Sequence, residues 1–339
     1  MENNNRFIYI IMAMFLLGCQ DPQKDKMKRP NILFLLADDL GYNEIGAYGQ
    51  KIIKTSELDK LAASSMKFTN FYAGNAACAP SRAVLLTGKN VTNVAIRGNA
   101  GSFGNDRWEG MALDQDAFTL GEMLKEQGYQ TAFIEKWHLD RPKDVNAWVS
   151  GHGFDYAVQE QWRAPFNPIR TFPPNRLWVN GEEEYIPYDY KKYSCKDELL
   201  TDLAFDFLKN RERENPFFLF MSYRAPHSFE GPIRDILFYA DQDWPDIEKA
   251  HAPKITLLDR QIGRLLRQLE KIGVLDNTLV VFTRDNGPHF ALEAQNLAKA
   301  YPQIVEEMNA HFASARTETA RFPFGGVIQD HKSMNKLIK

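Results

Sequence analysis

Cysteine is scarce in this chain, with three in 339 residues. That excludes a disulfide-stapled scaffold and a zinc site built from cysteine clusters. Charge of one sign is also missing: Lys and Arg number 41 against 44 Asp and Glu, a net charge of -3. No basic footprint for nucleic acid follows from such a balance. There is no internal repeat and no low-complexity tract. No hydrophobic run is long enough to span a bilayer, the longest being Phe7 to Leu17. What remains is ordinary globular composition, 44% hydrophobic and 25% charged, with length for one large domain or two smaller ones.

The N-terminal run has the length of a signal-peptide core and follows Arg6. It ends in Leu16-Leu17-Gly18-Cys19, which resembles a bacterial lipobox. The expectation is a lipoprotein signal over 1–18, lipidation at Cys19 and a polar tether over 19–29. The alternative is a plain signal peptide with an incidental cysteine. Either way the chain is expected to be exported, to the periplasm or outer membrane, and to meet a membrane only through the lipid anchor. An oxidising compartment would permit a Cys78–Cys195 disulfide, or leave Cys195 a structural thiol.

Beyond the tether, short continuous apolar runs alternate with helical patterns. Ile32–Ala37, Gln130–Glu135, Phe217–Ser222 and Thr278–Thr283 read as strands buried on both faces. Ser56–Ser65, Phe118–Gln127, Asp197–Glu212 and Lys254–Ile272 read as helices. Such alternation predicts an α/β domain around a mostly parallel sheet, with ligands beyond the carboxyl ends of the strands.

Each run discharges there onto polar residues: Asp38-Asp39, Lys136-Trp137-His138, Ala225-Pro226-His227 and Asp285-Asn286-Gly287. Asp38, Asp39, Asp285 and Asn286 offer only oxygen, which suits a hard cation such as Ca²⁺ or Mg²⁺. Taken singly, Asp38 and Asn286 could instead cap the segments that follow. An extended backbone would point Lys136 and His138 to one side, as an anion clamp and proton shuttle, with Trp137 opposite. The other reading is a solvated lysine and a satisfied core histidine. His227 after Pro226 would sit in a rigid turn.

The most telling string is Cys78 to Gly88, C-A-P-S-R-A-V-L-L-T-G. It predicts a helix with Cys78 at its positive N-terminus, Pro80 in the first turn, Arg82 on the face of Cys78 and Gly88 as the stop. The string resembles the signature of type I sulfatases, C-x-P-S-R-x-x-x-L-T-G. Four further blocks resemble the same family, the sulfatase branch of the alkaline-phosphatase-like superfamily: P-N-I-L-F-L-L-A-D-D-L-G-Y, G-Y-Q-T-A-F-I-E-K-W-H-L, P-F-F-L-F-M-S-Y-R-A-P-H and D-N-T-L-V-V-F-T-R-D-N-G. The fold this implies is an α/β sandwich with a large, mostly parallel central sheet flanked by helices, over residues 30–290.

The resemblance also assigns roles. Cys78 would be oxidised to formylglycine (3-oxoalanine) by a maturation enzyme, and its hydrate would attack sulfate esters. One Ca²⁺ would be held by Asp38, Asp39, Asp285 and Asn286, with position 78 a further ligand. Arg82 would stabilise the hydrate, Lys136 and His227 would contact sulfate, and His138 would take a proton as sulfate leaves. Substrates would be sulfated carbohydrates or aryl sulfates. Three positions depart from the family: Glu135 and Asp140 replace the usual flanking glycines, and Arg284 replaces a serine.

A larger departure follows Gly287. Asn296–Phe312 resembles a terminal helix of such enzymes, so 291–339 is expected to be a helical remnant, with most of the C-terminal subdomain and a further active-site lysine missing. Neither Lys299 nor Lys332 has that lysine's surroundings. The expectation is weak or absent turnover. Two alternatives stand beside sulfate-ester hydrolysis: a phosphate or phosphonate monoester hydrolase, and a catalytically impaired lipoprotein that binds sulfated glycans. The aromatics and arginines of Trp162–Trp178 could line a sugar site or an ordinary loop.

Overall fold

All four runs form strands, and the sheet brings them side by side. The computed structural model describes residues 29–102, 108–140, 147–159, 178–180, 189, 191–227 and 238–288, with 302, 303, 306, 307 and 310 beyond. The leader, Cys19, residues 162–177, Lys299 and Lys332 lie outside the described residues. Internal contacts divide the chain between Pro30 and Asn31.

Within 31–339 the strands are β1 (Asn31–Asp38), β2 (Gly101–Ser102), β3 (Trp108–Glu109), β4 (Gln130–Glu135), β5 (Tyr156–Gln159), β6 (Trp178–Val179), β7 (Phe217–Pro226) and β8 (Thr278–Arg284). Among the described residues, six form one sheet in the order β6-β5-β4-β7-β1-β8. The β4, β5, β7, β1 and β8 pairings are parallel, and only β5–β6 is antiparallel. A separate small ribbon pairs β2 with β3.

The helices are α1 (Ser56–Ala63), α2 (Cys78–Thr87), α3 (Leu120–Glu126), α4 (Lys196–Asn210) and α5 (Asp246–Lys271). Strand alternation sends Leu33, Leu35, Ile134, Leu219 and Met221 to the face covered by α1, α4 and α5. The opposite face carries Leu36, Phe133, Phe218 and Phe220 against Ala79, Ala83 and Leu86 of α2. There Phe220 is sandwiched in register between Phe34 and Phe133, with ring centroids 4.8 and 4.9 Å apart. Both faces are thus roofed, as the apolar runs require. β8, at the outer edge, is the least covered of these strands, and Leu279 is 54% exposed.

Helix boundaries follow local chemistry. Thr119 and Glu122 form a reciprocal capping box at the start of α3. Gly88 ends α2 at φ +65, its N–H bonded to the Val84 carbonyl. For α1 the cap comes from a distant residue: the Asp259 carboxylate on α5 accepts from the Leu58 and Glu57 N–H groups at 2.7 and 3.1 Å. The helix expected from Lys254 begins eight residues earlier, at Asp246, and carries Pro253 in its interior. Among the described residues no helix is long and apolar enough to cross a membrane.

Replacing Phe220 by Ala is expected to destabilise the fold by about 3–5 kcal/mol, because the ring is buried and stacked on both sides. A chemical-denaturation midpoint shifted by much less would show that the stack collapses freely around the gap.

Candidate active site

The carboxyl ends of four adjacent parallel strands, β4, β7, β1 and β8, meet the N-terminus of α2. β1 delivers Asp38 as its last residue, and Asp39 turns the chain at φ +62. β8 delivers Asp285 and Asn286, with the Asp285 N–H bonded to the Ala37 carbonyl at 3.1 Å. α2 delivers Cys78, whose Sγ lies 3.8 Å from Asp39 Oδ1. Asp38, Asp39 and Cys78 present atoms within 4.8 Å of one another that could ligate a metal. Asp285 joins them through Oδ1, which accepts the Asp39 N–H at 3.1 Å. Asn286 joins through Nδ2, which donates to Asp39 Oδ1 at 2.7 Å.

Two fully buried cations balance these carboxylates. Lys136 Nζ donates to Asp38 Oδ1 and Oδ2 at 2.7 and 2.5 Å. Arg82 pairs through Nε and Nη2 with Asp285 Oδ2, at 3.0 and 2.9 Å, and its Nη2 lies 3.6 Å from Asp38 Oδ1. Its Nη1 donates to Ser222 Oγ at 2.6 Å and to the Lys136 carbonyl. His227, after the cis Ala225–Pro226 bond, places Nε2 3.6 Å from Asp39 Oδ2.

The backbone around Lys136 differs from the extended form expected. β4 stops at Glu135, which has φ +91, and His138 has φ +61. A non-glycine residue in such a conformation costs on the order of 1–3 kcal/mol and persists only when its surroundings hold it. Trp137 nevertheless turns into the opposite core, edge-on to Phe133 at 5.4 Å.

Burial sets the protonation states. It pushes the Cys78 thiol up to about 12; Lys136 opposes this, and Asp38, Asp285 and Asp39 reinforce it. An unmodified Cys78 is therefore a neutral thiol and a poor nucleophile at ordinary pH with no cation bound. Burial, then the charges of Lys136, Arg82 and Arg224, holds His138 well below the usual imidazole range. It stands as a neutral base. Burial and the Asp38 charge raise Asp285 to about 6, against the pull of Arg82 and Lys136.

These residues fit a hard cation. The donors are oxygens, the carboxylates crowd one another, and Asn286 Oδ1 is buried without a hydrogen-bond partner. Asp38, Asp39, Asp285 and Asn286 could hold such an ion, with Cys78 beside it.

The sulfatase family model matches residues 30–311. The chain belongs to the sulfatase family. Human N-acetylgalactosamine-6-sulfatase is 33% identical over 275 residues, 76% of this chain and 50% of that protein. N-acetylglucosamine-6-O-sulfatase of Bacteroides thetaiotaomicron is 32% identical over 84% of this chain and 63% of its own length. Among solved structures, Ps i-CgsB superposes with a TM-score of 0.64 at 28% identity, over 79% of this chain and 61% of that one. The same protein was solved in complex with k-i-k-neocarrahexaose. The chain spans about half the length of the first of these relatives.

Contacts among the described residues bring together eight of the residues expected in this sulfatase site: Asp38, Asp39, Cys78, Arg82, Lys136, His227, Asp285 and Asn286. His138 joins them through the charges that surround it. Cys78 and Cys195 are free thiols, not a disulfide. Sequence reasoning missed Ser222, which lies in the middle of the fully buried β7 opposite Glu135 and bonds both Arg82 and the Lys136 carbonyl. It also missed Ser81, whose hydroxyl donates to the Asp285 carbonyl, and Lys254, which donates to the His227 carbonyl at 3.0 Å. A polar residue directly after the apolar run Phe217–Met221 was the available signal for Ser222.

Because Asp285 is raised in the folded chain, the folded state keeps a proton between pH 4 and 6 that the unfolded state releases. Metal-free stability relative to Asp285→Asn should therefore fall by about 2–3 kcal/mol as pH rises through that window. Thermal melts of both proteins in chelator measure this, and added Ca²⁺ should restore the wild type alone. Parallel curves would remove the charge argument.

Proposed function

We propose that this chain hydrolyses sulfate esters of carbohydrates, using a formylglycine formed at Cys78 and a Ca²⁺ ion held by Asp38, Asp39, Asp285 and Asn286. The supporting observation is the position of Cys78: buried at the N-terminus of α2, against Asp39, with Arg82 and Lys136 behind it. A neutral thiol there is a poor nucleophile, whereas its modified form would supply a hydrated oxygen nucleophile beside a cation that polarises sulfate.

The other groups follow from their charge and place. Lys136 and His227 flank Asp38 and Asp39 from the ends of β4 and β7, and can draw a sulfate oxygen toward the strand ends. Arg82 keeps its charge under Asp285 and Asp38, which fixes those carboxylates and offsets negative charge built up above them. His138, neutral by burial and surrounding charge, accepts a proton as the ester is resolved to alcohol and sulfate. The names of the relatives support sulfated carbohydrate as substrate: two act on N-acetylhexosamine 6-sulfates by name. The run Phe7–Leu17 before Gly18-Cys19 supports export and lipidation at Cys19.

A second reading is binding of sulfated glycans without turnover, in which an unmodified, protonated Cys78 leaves the charged cleft without its nucleophile. Peptide mass spectrometry across Cys78, in protein co-expressed with an active formylglycine-generating enzyme, should show the thiol sulfur replaced by an aldehyde oxygen. The matured protein should then cleave a small aryl sulfate, and Lys136→Ala should lower that rate about 10²–10³-fold. An intact thiol overturns the catalytic reading. Sulfated-oligosaccharide affinity without turnover selects the second.

A further inference from the structure

Glu135 occupies a backbone conformation that glycine would adopt without strain, at φ +91. It is fully buried, and the carboxylate has specific company. Oε1 lies 3.3 Å from Lys196 Nζ and 3.3 Å from Arg224 Nη1. Lys196 opens α4, and its neighbour Asp197 accepts the backbone N–H groups of Arg224 and Ala225, each at 3.3 Å. The first two residues of α4 therefore grip the end of β4 through Glu135 and the end of β7 through Arg224 and Ala225. Lys136 follows directly on the first grip. The cis Pro226 and His227 follow directly on the second.

We propose that Glu135 is a positioning residue: its carboxylate, shared by Lys196 and Arg224, sets the spacing of the β4 and β7 ends and so places Lys136, His138 and His227 around the anion site. The proposal rests on the sulfatase reading only for what the anion is. Three observations carry it. The backbone strain at Glu135 is not forced by the chain, since an unstrained residue type exists for that conformation. The side chain that takes its place makes a direct charged link between β4 and β7. Arg224, the partner, also adds its charge to the field at His138. Removing the carboxylate would thus release one end of the clamp and take away the negative charge beside Arg224, one of the cations acting on His138.

Glycine at this position separates a positioning role from a merely stabilising one, because E135G relaxes the backbone while losing the carboxylate. The test uses the full chain as E135G, E135Q and E135D. In unmatured protein the ring signals of His138 and His227, read by NMR at one fixed pH, should move in E135G and E135Q and return toward wild type in E135D. In matured protein, E135G and E135Q should lose about 10–100-fold in kcat on an aryl sulfate with KM changed less than about threefold, and E135D should recover most of it. If E135G and E135Q do not fold, Lys196→Met keeps the Glu135–Arg224 pair and should move the same signals by a smaller amount. Ring signals that overlay wild type in every folded variant overturn the proposal, whatever the turnover. Wild-type protein with no aryl-sulfate turnover would count against the sulfatase reading alone, because the ring signals still decide the role of Glu135.

Discussion

Arg82 ties one helix to four strands. Its guanidinium bonds Asp285 after β8, approaches Asp38 on β1, donates to Ser222 on β7, and donates to the carbonyl of Lys136 after β4. A buried cation survives only where its donors are filled, and removing one member of such a set strands the others. The fold fills Nε and Nη1 by running four strands in parallel and ending them together, and holds Nη2 by charge alone, against the Asp285 and Asp38 carboxylates. Everything at the site is a consequence of that meeting: the height of Cys78 above the carboxylates, the contact of Asp39 with both Asp285 and Asn286, and the reach of Lys136 to Asp38.

The same crowding decides which groups carry charge. Three carboxylates at one sheet edge are costly without cations, and Lys136 and Arg82 reduce the cost from beneath. What they leave is an upper rim of oxygen, with Asn286 Oδ1 unbonded. Burial keeps the nearby histidine neutral and the thiol protonated, reinforced by the cations around His138 and the carboxylates around Cys78. The oxygens fit a hard cation, and the proposed sulfate ester would bring the anion.

Much of this could be read from the chain. Apolar runs placed β1, β4, β7 and β8 to within a few residues, and the residues just past each run proved to be neighbours. That worked because parallel strands buried on both faces leave a plain mark in sequence and put their polar ends on one edge. The mark fails where geometry is set by distant partners. The family's usual glycine at position 135 was the one hint of a left-handed backbone there, and nothing in His138 announces its own. Pro253 hid the first two turns of α5, because proline argues for a helix start and here lies inside one. The cap of α1 was illegible for the same reason: Asp259 stands some two hundred residues from the N–H groups it serves.

The separation of Arg82 from Asp285 has a consequence in time. The two lie 203 residues apart, so the carboxylate that closes the base of the site is among the last parts of the described sheet to be synthesised. At about 5–20 residues per second, roughly 10–40 seconds pass between the appearance of Cys78 and that of Asp285. Once the sheet is complete, Cys78 is only 7% exposed. Under the proposed maturation, an enzyme reaching the thiol would work against a clock set by translation, and a slower ribosome or a delayed β8 would lengthen the interval in which Cys78 could be changed.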